Sequence, residues 1–360
     1  MQKIATAAVF ACLPLAAIAD PRDVTSNYES VKVAEGVHAF IAPEPRSGVV
    51  NGNVTVIVGD DGVVIVDTGQ FPTLAQRQIA EVKKLTSKPV RAIVNTHWHW
   101  DHNLANATWR EAFPSAAIVS TAFTRDFIAT FTPGFLEQMA GNGPRFVERL
   151  QAQLAKPELT AAQKEDLRHV LRDLEQGLPE LQKAKLLAPD MTFERELAIH
   201  LGKREVRVLF PGRANTAGDA VVWVPDARVL VTGDLVVHPT PYATSAYPAD
   251  WIAAMERLMA FDAAAIVPGH GPVQRDEKYL ELVTRTLRSI VDQATAAVAE
   301  GLSLEEAKAR IDLEPARKAF AGEDRARRKA FDDYFASSAV TNAYKQAKGE
   351  PTDESPFPRP

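Results

Sequence analysis

Apolar and polar positions over the first hundred residues fall into short β-branched runs separated by turn residues. Val31–Val33, Val37–Ile41, Asn53–Val58 and Val63–Val66 read as consecutive strands, with Gly59-Asp60-Asp61-Gly62 as a hairpin turn. From Pro72 to Leu85 the period changes: Leu74, Ile79, Val82 and Leu85 recur at helical spacing, Pro72 suits a first turn, and Lys83 and Lys84 suit the C-terminal end. A strand over 90–94 follows. After Ile118-Val119 the strand pattern stops, and residues 122–187 read as a helical insertion. Leu150, Leu154, Leu167, Val170, Leu171 and Leu174 carry the three-and-four repeat there, and Thr160 to Gln163 forms a capping-box signature. Strands return over 206–210, 220–224 and 228–232, then a helix over 248–261, a strand at Ala264–Val267, and helices to about Ala347. Ser303 to Glu306 is a second capping box. Helix alternating with strand on either side of an insertion implies a layered α/β domain.

The two ends have a different composition. Met1 to Ala19 places Lys3 before an apolar stretch and ends in small residues, the pattern of a secretory signal cleaved after Ala19. The stretch is too short to span a bilayer and contains Pro14, so no stable membrane insertion is expected after cleavage. Residues 20–30 read as an extended lead-in, 276–347 as a C-terminal helical extension, and the Pro-rich, acidic 348–360 as a disordered tail. The only cysteine, Cys12, lies inside the signal, so the mature chain has neither disulfides nor thiolate ligands. A net charge of −5 gives no nucleic-acid footprint, and 46% hydrophobic residues suffice for a large core. A periplasmic or secreted protein acting on a small molecule is the expectation, with homo-oligomerisation left open.

The chemistry concentrates in Thr96-His97-Trp98-His99-Trp100-Asp101-His102, directly after the 90–94 strand. Three of the chain's eight histidines and an aspartate occupy six consecutive positions. Packing does not require such a sequence at a strand's end. Imidazoles and carboxylates clustered on one loop are the ordinary ligands of zinc and related divalent cations.

The spacing His-x-His-x-Asp-His resembles the metal loop of the metallo-β-lactamase superfamily. Gly62-Val-Val-Ile-Val-Asp67-Thr-Gly69 before it, and Gly212–Asp219, Val231-Thr-Gly-Asp234 and Val267-Pro-Gly-His270-Gly-Pro272 after it, follow the same order. The resemblance covers residues 31–275 and implies a four-layer αβ/βα sandwich. It also implies that His97 and His99 hold a first metal, that Asp101, His102 and His270 hold a second, and that Asp234 bridges them. Asp101 would in addition orient a water, and Asp67 would accept the far N–H of a ligand histidine. Asn215 departs from the pattern, standing where relatives carry a third histidine, and reads as a weak or lost ligand. His238 is a candidate replacement ligand. His238, Tyr242 and Tyr247, in the loop that His238 begins, are substrate-loop candidates, as are Trp98 and Trp100, one expected in the pocket and the other in the core.

One or two zinc ions per chain are implied, with iron or manganese also suited to an oxygen- and nitrogen-rich donor set. The implied activity is an exported hydrolase that uses a metal-activated water to cleave an ester, lactone, thioester or amide, β-lactams included. Two alternatives differ in class: a periplasmic binding protein with a degenerate metal site, and an iron-dependent oxidoreductase of the same fold.

Overall fold

The computed structural model describes residues 23–45 and 49–352. The expected export signal with Cys12 and Ala19, and the last residues of the expected tail, lie outside them. Residues 23–26 are not extended as expected: the Asp23 carboxylate accepts from Thr25 N and Oγ1 and winds them into a turn. This seats Val24 in the core, and the first strand starts at Glu29.

Strands β1 (Glu29–Ala34), β2 (Val37–Ile41), β3 (Val54–Val58) and β4 (Val63–Val66) form an antiparallel meander. Helix α1 (Pro72–Leu85) then crosses over to β5 (Val90–Val94), parallel to β4, and α2 (Asn106–Ala112) leads to β6 (Ala117–Thr121). The insertion consists of two helices, α3 (Ala122–Leu154) and α4 (Ala161–Leu181), after which β7 (Met191–Phe193) completes a seven-stranded sheet in sequential order. A five-stranded sheet follows, in the order β12-β11-β10-β9-β8, from β8 (Glu196–Leu201), β9 (Arg204–Leu209), β10 (Val221–Val224), β11 (Val229–Val237) and β12 (Ala265–His270). Helix α5 (Pro248–Met259) joins the last two, which run parallel. The chain ends in α6 (Lys278–Ala299), α7 (Leu304–Arg310), α8 (Glu314–Ala321), α9 (Arg325–Phe331) and α10 (Ser337–Ala347). Both capping boxes are present, at the starts of α4 and α7.

Period two sorts the side chains into layers. In β4, Val64 and Val66 face a core shared with the second sheet, while Val63 and Ile65 face α1 and α2. In β10, Val222 and Val224 enter the shared core, and Val221 and Trp223 face α5, α6 and the C-terminal helices. Because both sheets are buried on both faces, their strands read as near-continuous apolar runs. The result is helix, sheet, sheet, helix: the expected four-layer αβ/βα sandwich, carrying a helical insertion and a helical C-terminal extension. Among the described residues, no helix is long and apolar enough to cross a membrane.

Candidate metal centre

The carboxyl ends of β4, β5 and β12 and the second half of β11 meet at one edge of the sandwich, the usual place for a site in α/β sheets. Each contributes where its apolar run stops. Asp67 follows β4, His97 to His102 follow β5, Asp234 lies within β11, and His270 ends β12. Asp67, His97, His99, Asp101, His102, Asp234 and His270 are all at least nine-tenths buried.

The donors fall into two pockets divided by Asp234. On one side, His97 Nε2 lies 2.8 Å from His99 Nδ1, and both face Asp234 Oδ2, at 3.5 and 3.8 Å. On the other, His102 Nε2 lies 3.1 Å from His270 Nε2; the two nitrogens approach Asp234 Oδ1 at 3.1 and 3.5 Å and Asp101 Oδ2 at 3.5 and 3.0 Å. Asp101 Oδ2 and Asp234 Oδ1 are buried yet accept no hydrogen bond. Imidazole lone pairs and orphaned carboxylate oxygens that converge in this way fit divalent cations, and few other ligands would satisfy them. Two donor groups emerge, His97 with His102 and Asp234, and Asp101 with His102 and His270.

The electrostatics show how strongly the carboxylates act on the rings. Burial lowers the His97 imidazole to about 4, aided by the charge on His102. Burial also works against a charged His102, but Asp234, Asp101 and Asp67 together raise it well above the ordinary imidazole range. His270 is likewise raised by Asp234 and Asp101 against its burial. Burial opposes ionisation of Asp101, but His102 and His270 bring it down to about 2.

Asp67 sets the orientation of His102. Its Oδ2 lies 2.8 Å from His102 Nδ1, and the same carboxylate accepts from Thr96 N and Oγ1, each at 2.8 Å. With Nδ1 engaged as a donor, the proton that a cation would displace is the one on Nε2, which faces Asp234 and Asp101. Asp67 has φ 60°, a left-handed conformation that Asn also tolerates. Asp67→Asn is therefore expected to fold and to weaken zinc binding at the His102 pocket by about tenfold. A chelator-competition titration measures this, and an unchanged constant would remove Asp67 from the site.

Several residues that place the ligands carry no sequence signal beyond being polar within apolar surroundings. Asn103 Nδ2 donates to the carbonyls of Trp98 and His99 at 2.9 and 2.6 Å and holds the metal loop closed. Asn53 Nδ2 donates to the carbonyls of Pro268 and Gly271 at 2.9 Å each and fixes the strand end bearing His270. Gly52 lies against the His102 ring so closely that a Cβ there would come within 2.5 Å of it.

The remaining candidates separate. The Tyr242 ring stands edge-on to His99, with centroids 5.2 Å apart; burial, followed by Asp101 and Asp234, raises its hydroxyl to about 12. Asn215 is fully buried beside the same loop. His238 is half-buried with its ring against Tyr279, 4.9 Å between centroids, and its charged neighbours are Glu44 and Arg327, so the structure does not bring it to the donor cluster as a replacement ligand. Tyr247 precedes α5 with its ring under the Arg213 guanidinium.

Trp98 is buried and Trp100 half-buried, and both pack against the insertion. Trp98 packs on His99 and on Phe127 of α3, and Trp100 stacks on Phe135 of α3 at 3.9 Å. The insertion thus rests on the metal loop through helix α3.

Residues 47–270 match the model of the metallo-beta-lactamase superfamily. The chain is 30% identical over 276 residues to the linear primary-alkylsulfatase of a Pseudomonas species, a match covering 72% of this chain and 50% of that protein. The chain therefore spans about half the length of that curated relative. Among solved structures, a metallo-beta-lactamase from Pontibacter korlensis superposes with a TM-score of 0.53 at 20% identity, covering 73% of this chain and 99% of that one. The DIM-1 metallo-beta-lactamase does so at 0.50 and 19%, covering 73% and 98%. At such identities the structural likeness is one of fold.

Proposed function

Because the chain belongs to the metallo-β-lactamase superfamily, we propose that it is an exported, zinc-dependent hydrolase with two cation positions, acting on a small ester. The observation that carries the reading is the double face of Asp234: one oxygen toward His97 and His99, the other toward His102 and His270. Cations held there would supply a water deprotonated near neutral pH and polarise the scissile group of the substrate. Asp234 would bring the two positions close together. Asp101, with its Oδ2 free of hydrogen bonds, is placed to hold and turn the attacking water. His102, its tautomer set by Asp67, is kept from competing for that proton. Burial of these groups excludes bulk water and strengthens each interaction.

The ester class is drawn from the similarity to a linear primary-alkylsulfatase, which favours sulfate esters over lactams. The lactamase likenesses are of fold only, and fold does not fix the bond cleaved. Export follows from the apolar amino-terminal stretch ending at Ala19.

The test is to strip the purified chain with a chelator, restore zinc, manganese or iron separately, and assay alkyl sulfates, carboxylic esters, lactones and β-lactams. Zinc-restored cleavage of a sulfate or carboxylic ester is expected. Turnover of lactams alone would overturn the ester assignment, and two-electron chemistry with iron alone would favour an oxidoreductase.

A further inference from the structure

Asn215 carries a feature unlike a lost ligand. It is fully buried, its Nδ2 donates to the Tyr242 carbonyl at 2.7 Å, and its Oδ1 is buried with no partner. A backbone carbonyl can only accept, so the amide has one permitted orientation, with the oxygen directed away from Tyr242. An unpaired buried amide oxygen is costly unless something binds it. The loop offers little freedom to relieve it. Asp219 accepts from Thr216 N and Oγ1 at 2.7 and 3.0 Å, and the Gly218 carbonyl accepts from Thr121 and Thr124, both at 2.8 Å, at the start of α3. The Tyr242 ring stands against His99, which places this amide in the neighbourhood of the His97 and His99 pocket.

The Tyr242 carbonyl is itself held from a distant part of the chain. Ala243 N donates to the Tyr334 carbonyl at 2.9 Å, and Asn342 Nδ2 donates to the carbonyls of Ala243 and Thr244 at 3.1 and 3.3 Å. Tyr334 and Asn342 belong to the C-terminal extension, and Asn342 is buried. The Tyr242–Ala243 peptide therefore joins the Asn215 amide to the Tyr334 carbonyl, and Asn342 of α10 holds the next two carbonyls of the same segment.

We propose that Asn215 Oδ1 is a neutral oxygen donor to the cation held by His97 and His99, and that the C-terminal helices, through Asn342 and the Tyr242 carbonyl, hold it in place. This rests on the two-cation reading above. A neutral amide in that position makes the first cation the weaker of the two, and makes its retention dependent on the docking of the extension. Asn342 is a positioning residue; it acts only through the loop.

The experiment is a stepwise zinc titration of the chelator-stripped full chain by dye competition, with thermal denaturation in parallel. The wild type is expected to take two equivalents with separable constants. Asn215→Ala should weaken the looser equivalent about 100-fold, and Asn342→Ala about tenfold, with the tighter one unmoved in both. Asn215→Asp keeps an oxygen for the cation and adds a charge but cannot donate to the Tyr242 carbonyl, so it should change the looser constant and leave the tighter one unmoved. If Asn215→Ala does not fold, the Asp variant and Asn342→Ala carry the test. A looser constant that is the same in wild type, Asn215→Asp and Asn342→Ala overturns the proposal, as does an equal loss of both equivalents, which would mark a merely structural role. A wild type that takes no zinc defeats the two-cation reading itself, a distinguishable result.

Discussion

Asp234→Ala is expected to strip both cations and reduce hydrolysis by about a thousandfold or more, a loss of at least about 4 kcal/mol of transition-state stabilisation. No other described side chain has an oxygen directed to each histidine pair. His270→Ala, by contrast, should empty only the pocket it shares with Asp101 and His102 and leave the His97 and His99 pocket loaded. Elemental mass spectrometry on the two variants separates these outcomes. An Asp234→Ala protein that kept one full equivalent would show that Asp234 serves one pocket.

The same groups fix the sign of the pH dependence. In the metal-free chain, Asp234 and Asp101 hold protons on His102 and His270 above the ordinary imidazole range. Cations must displace those protons, so zinc affinity falls as pH drops below these raised values, about tenfold per pH unit for each proton displaced. Removing the Asp234 charge lowers both imidazoles and shifts that fall to lower pH.

Much of this site is legible in the chain because its ligands sit where apolar runs stop. His97 to His102, Asp234 and His270 each follow or end a β-branched stretch, so finding the strands finds the ligands. The two-sheet sandwich is legible for the same reason, although β7 and β8 are short or amphipathic and escape the pattern. What positions the ligands is not legible. Asn53 and Asn103 are single polar residues in loops, and nothing in their spacing says that each bonds two carbonyls of a ligand-bearing segment. Asn215 shows the opposite limit. Its identity marks a departure from a pattern, but only the bond from Nδ2 to Tyr242 shows which atom is left for a ligand. Helical periodicity identified the insertion without its packing, since the repeat reports a buried stripe and not what covers it.

The covering is what makes Trp98 the most consequential apolar residue near the site. Trp98→Ala is expected to destabilise the chain by about 3–5 kcal/mol, the usual cost of emptying a fully buried tryptophan site. Its indole is 1% exposed and is packed between the His99 ring, 4.4 Å away, and Phe127 of α3, 4.1 Å away. The loss should therefore appear in two places. Helix α3 loses the Phe127 and Phe131 contacts with Trp98 but keeps the stack of Trp100 on Phe135 and the bond from Thr124 to the Gly218 carbonyl. His99 loses the wall that fixes its ring plane, so the cation in its pocket should be bound more weakly while the His102 and His270 pocket, on the far side of Asp234, keeps its own. Trp98→Phe, which retains an aromatic wall, should recover most of both. Thermal denaturation with zinc titration on the pair reads the two effects separately. A Trp98→Ala chain that unfolds more easily but binds both equivalents as before would confine Trp98 to holding the insertion.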